Sequence, residues 1–404
     1  MNMSDYTEKY NSIIYMDNAA TTRLSQEAMD AMMPYFRDFY GNASTQYSFA
    51  DESKEAMRRA KAQTAILIGA KDSEIYFTSG GTEADNWALQ IAARGYSGKG
   101  RHIITSRIEH AAMLRACERL EKEGFEITYL DVDQYGRIEP SILENAVRPD
   151  TILISVMAAN NEIGTIQPLA QVGKIAKDRG ILFHTDAVQA FGHIPLNVNE
   201  LGIDMLSASA HKLNGPKGTG LLYVRRGVKI SPMILGGGQE RGMRAGTENI
   251  PGIVGFGAAA AQAKEHMDEN LITVHGLRDH LIERVMTEIP FTRLNGHPEN
   301  RLPGNASFSF KFIEAESLLV LLDMKGLCVS AGSACSSGSL EPSHVLTATG
   351  LDRELAMGTV RFSLDRENTM QQVDRAVEIL KESVTFLRGK STAYSSFMSG
   401  SGLI

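Results

Sequence analysis

Lys212 stands in "SASAHKLNGPKGTG" (207–220), where a run of small and apolar residues reads as a buried strand and breaks into Gly and Pro just after the lysine. A lysine at the end of a strand is placed to meet a ligand, although a solvated surface position is the commoner fate of this residue type. Upstream, "ILFHTDAVQA" (181–190) ends another apolar run on Asp186. A carboxylate there is costly to bury unless a cation or hydrogen-bond donor meets it. Two readings fit the pair. Lys212 and Asp186 form a salt bridge, or both touch pyridoxal phosphate. In the second case the lysine is the Schiff base, and the aspartate pairs with the protonated pyridine nitrogen and strengthens the ring as an electron sink.

The second reading requires a phosphate site nearby. "FTSGGTEADN" (77–86) offers one, because a strand runs through Ser79, Gly80, Gly81 and Thr82 into a helix whose first amides can face an anion. Thr82 with Asp85 also fits a capping box, which is the plainer alternative. Ser209 and His211, just ahead of Lys212, add a hydroxyl and an imidazole to the same cradle. His110, in "SRIEHAAM" (106–113), lies at a strand-to-helix loop on the same side. It is either a structural histidine or, in a pyridoxal site, a ring-stacking group and proton relay. Cys335 sits in "VSAGSACSSGS" (329–339), among residues too small to build a core. Small side chains lose little rotamer entropy, and Gly332 and Gly338 permit wide backbone excursions, so high mobility is expected over 333–341.

The elements that must position these residues are short apolar runs separated by amphipathic stretches. "EIYFT" (74–78), "HIIT" (102–105), "TILISVM" (151–157), "ILFHT" (181–185), "MLSAS" (205–209) and "GLLYV" (220–224) argue for an α/β fold with a large, doubly wound, mostly parallel sheet. "TEADNWALQIAARG" (82–95) puts Ala84, Trp87, Ala88, Ile91 and Ala92 on one helical face and offers Gly95 as its stop. The expected division is a large cofactor-binding α/β domain over 18–255, and a smaller α/β domain from 1–17 and 256–388 that carries the cysteine loop. A loosely ordered Gly/Ser-rich tail is expected over 389–404. In the smaller domain, strands are expected at "ASFSFKF" (306–312), "LCVSA" (327–331) and "TVRFSL" (359–364).

With 404 residues, 43% of them apolar, the chain can bury a large core. A net charge of −7 gives no basic excess for nucleic acid or an anionic membrane. No signal peptide and no run of ~18 apolar residues is evident, so the expected location is cytoplasmic. Three cysteines, Cys117, Cys328 and Cys335, without metal-ligand spacing support neither a disulfide framework nor a metal site. Cys328 reads as a small buried hydrophobe at a strand position.

Taken in order, "YMDNAATT" (15–22), "TSGGTEADN", "EH" (109–110), "NNEIGTIQP" (160–168), "HTDAVQA", "SAHKLNGPKGTG", "GGGQERGMRAGTEN" (236–249), "SAGSACSSGSLEPSHVL" (330–346) and "VRFSL" form a specific set. The chain resembles the cysteine desulfurases of the NifS/IscS type, in the class V aminotransferase-like group of pyridoxal phosphate enzymes with fold type I. "GNASTQYSFA" (41–50) departs from the commonest pattern at Ala43, Tyr47 and Ala50, outside the residues given chemistry here.

The resemblance implies that Lys212 carries the cofactor, His110 stacks on its ring and Asp186 pairs with its nitrogen. It implies that Asn160 and Gln189 lie near the phenolic oxygen, with Asn160 also next to substrate. It places Gly81, Thr82, Ser209 and His211 on the phosphate, joined by Thr247 of a second subunit, and so implies a homodimer. Arg361 would hold the substrate carboxylate, a role suited to its two-pronged donor. Cys335 would be the nucleophile that takes sulfur from L-cysteine as a persulfide, leaving alanine. The sulfur would pass to an acceptor protein such as an iron–sulfur scaffold, or to another thiolation pathway. A selenocysteine lyase or an aminotransferase of the same fold is the alternative.

Overall fold

The computed structural model describes residues 13–331 and 341–400. Its main sheet has seven strands: β2 (Ile75–Thr78), β3 (His102–Ser106), β4 (Glu126–Leu130), β5 (Thr151–Ser155), β6 (Leu182–Asp186), β7 (Met205–Ser209) and β8 (Gly220–Val224), in the order β2-β8-β7-β6-β5-β3-β4. Neighbouring strands from β7 through β4 run parallel, and β8 is antiparallel to both β7 and β2. Every residue of β3, β5, β7 and β8 is buried, as expected of strands covered by helices on both faces. That is why they read as unbroken apolar runs. β4 was not expected. It borders the sheet, and Glu126 opens it exposed to solvent.

The helix Gly81–Tyr96 runs through Gly95, its expected stop. A Cβ at Gly95 would stand 3.0 Å from the Lys229 carbonyl oxygen, so the glycine serves a close approach and not a helix end. Trp87 of this helix is fully buried, and its indole nitrogen donates to the Ser231 carbonyl at 2.8 Å.

A second sheet of β9 (Thr292–Asn295), β10 (Asn305–Phe310), β12 (Ser330–Ala331) and β13 (Thr359–Ser363) has the order β12-β13-β10-β9. β1 (Ile14–Tyr15) pairs separately with β11 (Leu327–Cys328). Helices Met267–Glu288 and Met370–Arg388 supply Val274, Leu281, Val377 and Leu380 to the core over this sheet, and Met16 joins them. The expected division at 255 falls inside the helix Ile250–Glu265. That helix gives Ile253, Phe256, Ala259 and Ala260 to the core of the main sheet.

The tail also differs from expectation. Thr392–Gly400 is a helix whose Phe397 ring lies 5.4 Å from Phe291 and 5.1 Å from Phe312. The Ser and Gly content hid the fact that Tyr394 and Phe397 share one helical face. No helix of the described residues is long and apolar enough to cross a membrane.

Candidate active site

Asp186 closes β6, Ser209 closes β7, and His110 and Asn160 follow shortly after β3 and β5. All four stand at the carboxyl edge of the sheet, where open α/β sheets bind ligands. Lys212 ends a short 3-10 turn after β7. Its Nζ donates to the carbonyl oxygens of Ala19 and Ala20 at 2.6 and 2.7 Å, and its own carbonyl accepts from His193 Nε2 at 2.7 Å. Gln189 Nε2 donates to the same Ala19 oxygen at 2.9 Å, so the segment from "YMDNAATT" is laid across the lysine.

Asp186 is buried, and its Oδ1 accepts the Val188 amide at 2.9 Å. Burial pushes its carboxyl above the ordinary range. The Val188 donor, the Lys212 charge and the neighbouring Asp85 carboxyl oppose that push. Asp85 itself is fully buried and does not cap its helix. The cap position is Gly80, which makes no side-chain cap bond, and Asp85 points inward against Asp186. The capping-box expectation is therefore corrected, because this carboxyl faces the sheet. His110 caps the helix Ala111–Lys122, with its Nδ1 accepting the Ala112 amide at 3.1 Å. In the neutral ring the proton therefore resides on Nε2.

Ser79, Gly80, Gly81, Thr82, Ser209 and His211 line one cavity, together with Thr21, Glu83, Lys217 and Gly218. A Cβ at Gly81 would stand 2.5 Å from Val188 Cγ2, so this turn lies directly on the segment after Asp186. A Cβ at Gly220 would stand 2.6 Å from the backbone of Gly80, so β8 needs a glycine where it passes the turn. Burial, with Lys212 and Lys217 adding to it, holds the His211 imidazole down to about 4, so the ring is neutral at pH 7. Its Nδ1 lies 3.2 Å from Thr21 Oγ1. Glu83 accepts from the Ser79 amide and hydroxyl at 2.9 and 2.6 Å and is clasped by Arg244 at 2.9 and 3.1 Å. Thr247, three residues after Arg244, is exposed and does not line this cavity.

Asn160 does not face the site. Its Nδ2 donates to the Ile108 carbonyl at 3.0 Å, and its Oδ1 accepts the Glu162 and Ile163 amides at 2.9 and 3.0 Å. The side chain is fully buried and spent on closing the loop. Asn161, half-buried, is the member of the pair beside Arg361, whose Nη1 donates to the Asn161 carbonyl at 2.9 Å. Arg361 is central in β13 and 1% exposed, and its Nη2 donates to Asp17 Oδ1 at 2.7 Å. Asp17 also accepts from Ser330 Oγ at 2.7 Å. Neither Asp17 nor Asn161 was singled out from the sequence, although both lie inside the quoted motifs.

Cys335, and all but the last position of the segment expected to be mobile, lie outside the described residues. Both flanks are described. Ser330 pairs with Arg361 across β12 and β13. On the far side, Ser343 Oγ donates to the buried Glu162, and His344 Nε2 donates to the Glu109 carbonyl at 3.1 Å. Of the other thiols, Cys117 is buried and pushed up to about 12 by burial. Cys328 has its expected strand position but is only half-buried, since β11 pairs with the two-residue β1 alone. Among the described residues, no group of three or more His, Cys, Asp or Glu side chains could hold a metal.

The family model for class-V aminotransferases matches residues 14–376. The chain belongs to the class-V aminotransferase family. Within that family, it is 54% identical over 381 residues to the cysteine desulfurase IscS of Methanosarcina thermophila, covering 94% of each chain. It is 51% identical to the cysteine desulfurase IscS of Dictyoglomus turgidum, covering 93% of this chain and 95% of that one. Among solved structures, a NifS-like protein superimposes with a TM-score of 0.87 at 40% identity, covering 93% of this chain and all of that one. A NifS-like protein from Rickettsia africae gives 0.83 at 31% identity, covering 92% and 99%. The expected pyridoxal phosphate fold type I architecture is thus the one this class-V chain adopts.

Proposed function

We propose that the protein is a pyridoxal phosphate-dependent cysteine desulfurase, converting L-cysteine to L-alanine and collecting the sulfur on Cys335. The observation that carries this reading is that both flanks of the Cys335 segment are fastened to the residues that would hold cofactor and substrate. Ser330 lies beside Arg361, and His344 lies on the backbone next to His110.

The residues present fit the cofactor. A cavity lined by hydroxyls, a neutral imidazole, a lysine and a helix N-terminus suits a phosphate, and a buried carboxyl at Asp186 suits a ring cation. When bound, pyridoxal phosphate supplies an electron sink for negative charge at the substrate α-carbon. Lys212 would hold its aldehyde and move the α-proton. Gly81, Thr82, Ser209 and His211 would hold its phosphate, with Thr247 contributed by a second copy in a homodimer. Gln189 and Asn161, in place of Asn160, would face the ring oxygen and the substrate. His110 would lie on the ring with Nε2 left to exchange a proton.

Arg361 would receive the substrate carboxylate, using donors that Asp17 and the Asn161 carbonyl hold in register. The Cys335 thiolate attacks the substrate sulfur, so an S–S bond forms as the C–S bond breaks. The electron pair released to carbon is protonated, and the products are alanine and a persulfide on Cys335. The persulfide sulfur would pass to an acceptor protein, such as an iron–sulfur scaffold, in the cytoplasm.

Incubation with L-cysteine followed by mass measurement of the Cys335 peptide tests this reading. The expected result is one added sulfur, removed by reductant and absent in Cys335→Ala, with alanine formed in step. Full alanine production by Cys335→Ala with no added sulfur would instead identify an aminotransferase-type lyase.

A further inference from the structure

Asp85 is a buried carboxyl that the mechanism above leaves without a role. It lies one turn into the helix Gly81–Tyr96, 1% exposed, with its side chain against the ends of β6 and β7. The groups that face it are Asp186, Ser207, Glu109 and His184. His184 is fully buried between Ser155 Oγ at 2.8 Å and Ser207 Oγ at 3.0 Å, with Nε2 3.8 Å from Asp85 Oδ1. Burial holds this imidazole down to about 3, so it brings no positive charge. Asp85 Oδ1 has no hydrogen-bond partner.

Asp85 reaches His184, and Asp186 lies two residues further along β6 on the same face, which sets the two carboxyls against each other; two carboxylates in that contact inside a protein cannot both be ionised. One proton is shared, and the surroundings decide its place. Asp186 has the Val188 amide as donor and the Lys212 charge on its side. Asp85 has the Ser207 hydroxyl as a donor, but it also has an oxygen without a donor, a neutral histidine and the Glu109 carboxyl beside it, so its anion is the less supported of the two.

We infer that Asp85 is a positioning residue that keeps the shared proton and donates it to Asp186, so that Asp186 meets the cofactor ring nitrogen as a carboxylate of lowered basicity. The inference rests on the reading of Asp186 as the ring-nitrogen partner. Without the donor, a more basic Asp186 would draw the ring proton onto itself and weaken the electron sink. The helix that supplies the phosphate turn thereby also sets the charge state at the opposite end of the cofactor.

The test uses holoenzyme loaded with cofactor carrying a nitrogen-15 label in the ring. Asp85→Asn retains an N–H donor, and Asp85→Leu has none. Wild type and Asp85→Asn are expected to share a protonated ring-nitrogen signal, with kcat within about threefold. Asp85→Leu should move that signal toward the unprotonated position and lower kcat about tenfold or more, with KM for L-cysteine within about twofold. A shifted signal in Asp85→Asn, or an unshifted one in Asp85→Leu, would overturn the inference. If Asp85→Leu does not fold, infrared difference spectra decide. The protonated-carboxyl stretch should be present in wild type and reduced in Asp85→Asn at about pH 8, and an unchanged band would overturn the inference. An unprotonated ring nitrogen in wild type, or one unmoved by Asp186→Asn, would instead show that the reading of Asp186 has failed.

Discussion

Asn160 and Asn161 are adjacent and identical in type, yet only Asn160 is locked into the loop. Asn160→Ala should cost about 2–3 kcal/mol of stability by leaving buried amides and a carbonyl unpaired. Asn161→Ala should cost less than about 1 kcal/mol and act instead on cofactor affinity or KM. Denaturant unfolding beside cofactor titration separates the two. Arg361 invites a second comparison. Arg361→Lys keeps the charge and loses the fork, so KM for L-cysteine should rise about tenfold or more while Asp17 keeps its cation. Equal KM values in steady-state assays would remove Arg361 from the carboxylate site. Which of two neighbouring asparagines faces a ligand is decided by how a turn closes, and residue type carries no trace of that choice. Asp17 was hidden for a related reason. It lies far from Arg361 in sequence, and only the pairing of distant segments brings them together.

Strands buried on both faces announce themselves as apolar runs, so the positions of Asp186 and Ser209 at strand ends, and of Lys212 in the turn that follows, were legible before any coordinates. The bordering strand β4 was not, because one of its sides has no partner strand and polar residues are tolerated there. The join between β3 and β5 carries a testable charge. Glu109 accepts from Ser106 Oγ at 2.6 Å and from the Met157 amide at 3.0 and 3.1 Å, and burial pushes its carboxyl up to about 8 against an ordinary 4.5. The folded state therefore holds this proton more tightly than the unfolded chain. Its contribution to stability is full below about pH 4.5 and lost as pH rises through about 8, at up to ~1.4 kcal/mol per unit. Unfolding free energies of Glu109→Gln should lack this decline, so the difference from wild type should change sharply between about pH 5 and about pH 8. At the phosphate turn, Gly81→Ala should weaken cofactor binding about tenfold, and Val188→Ala in the same chain should restore it, because the obstruction is a side-chain methyl.

Among the described residues, the cores of the two larger sheets are divided without regard to sequence order. The helix Ile250–Glu265 follows the main sheet in sequence and remains packed on it, while Met16 comes before that sheet and is buried in the second core. The closing helix lays the partly exposed Phe397 ring on Phe291 and Phe312 outside the second core, so Phe397→Ala should lower unfolding free energy by about 1 kcal/mol and leave turnover unchanged. Loss of turnover with unchanged stability would assign the tail to catalysis instead. The two glycine contacts at the phosphate turn bear on how lineages of this family can drift. The crowding at Gly81 is with a side chain that can shrink, so positions 81 and 188 are free to change as a pair, and alanine at the first should accompany a residue smaller than valine at the second. The crowding at Gly220 is with the main chain of Gly80, which no substitution can trim. Position 220 should therefore stay glycine in every descendant that keeps the turn, and a relative that has lost it should have rebuilt its phosphate grip elsewhere.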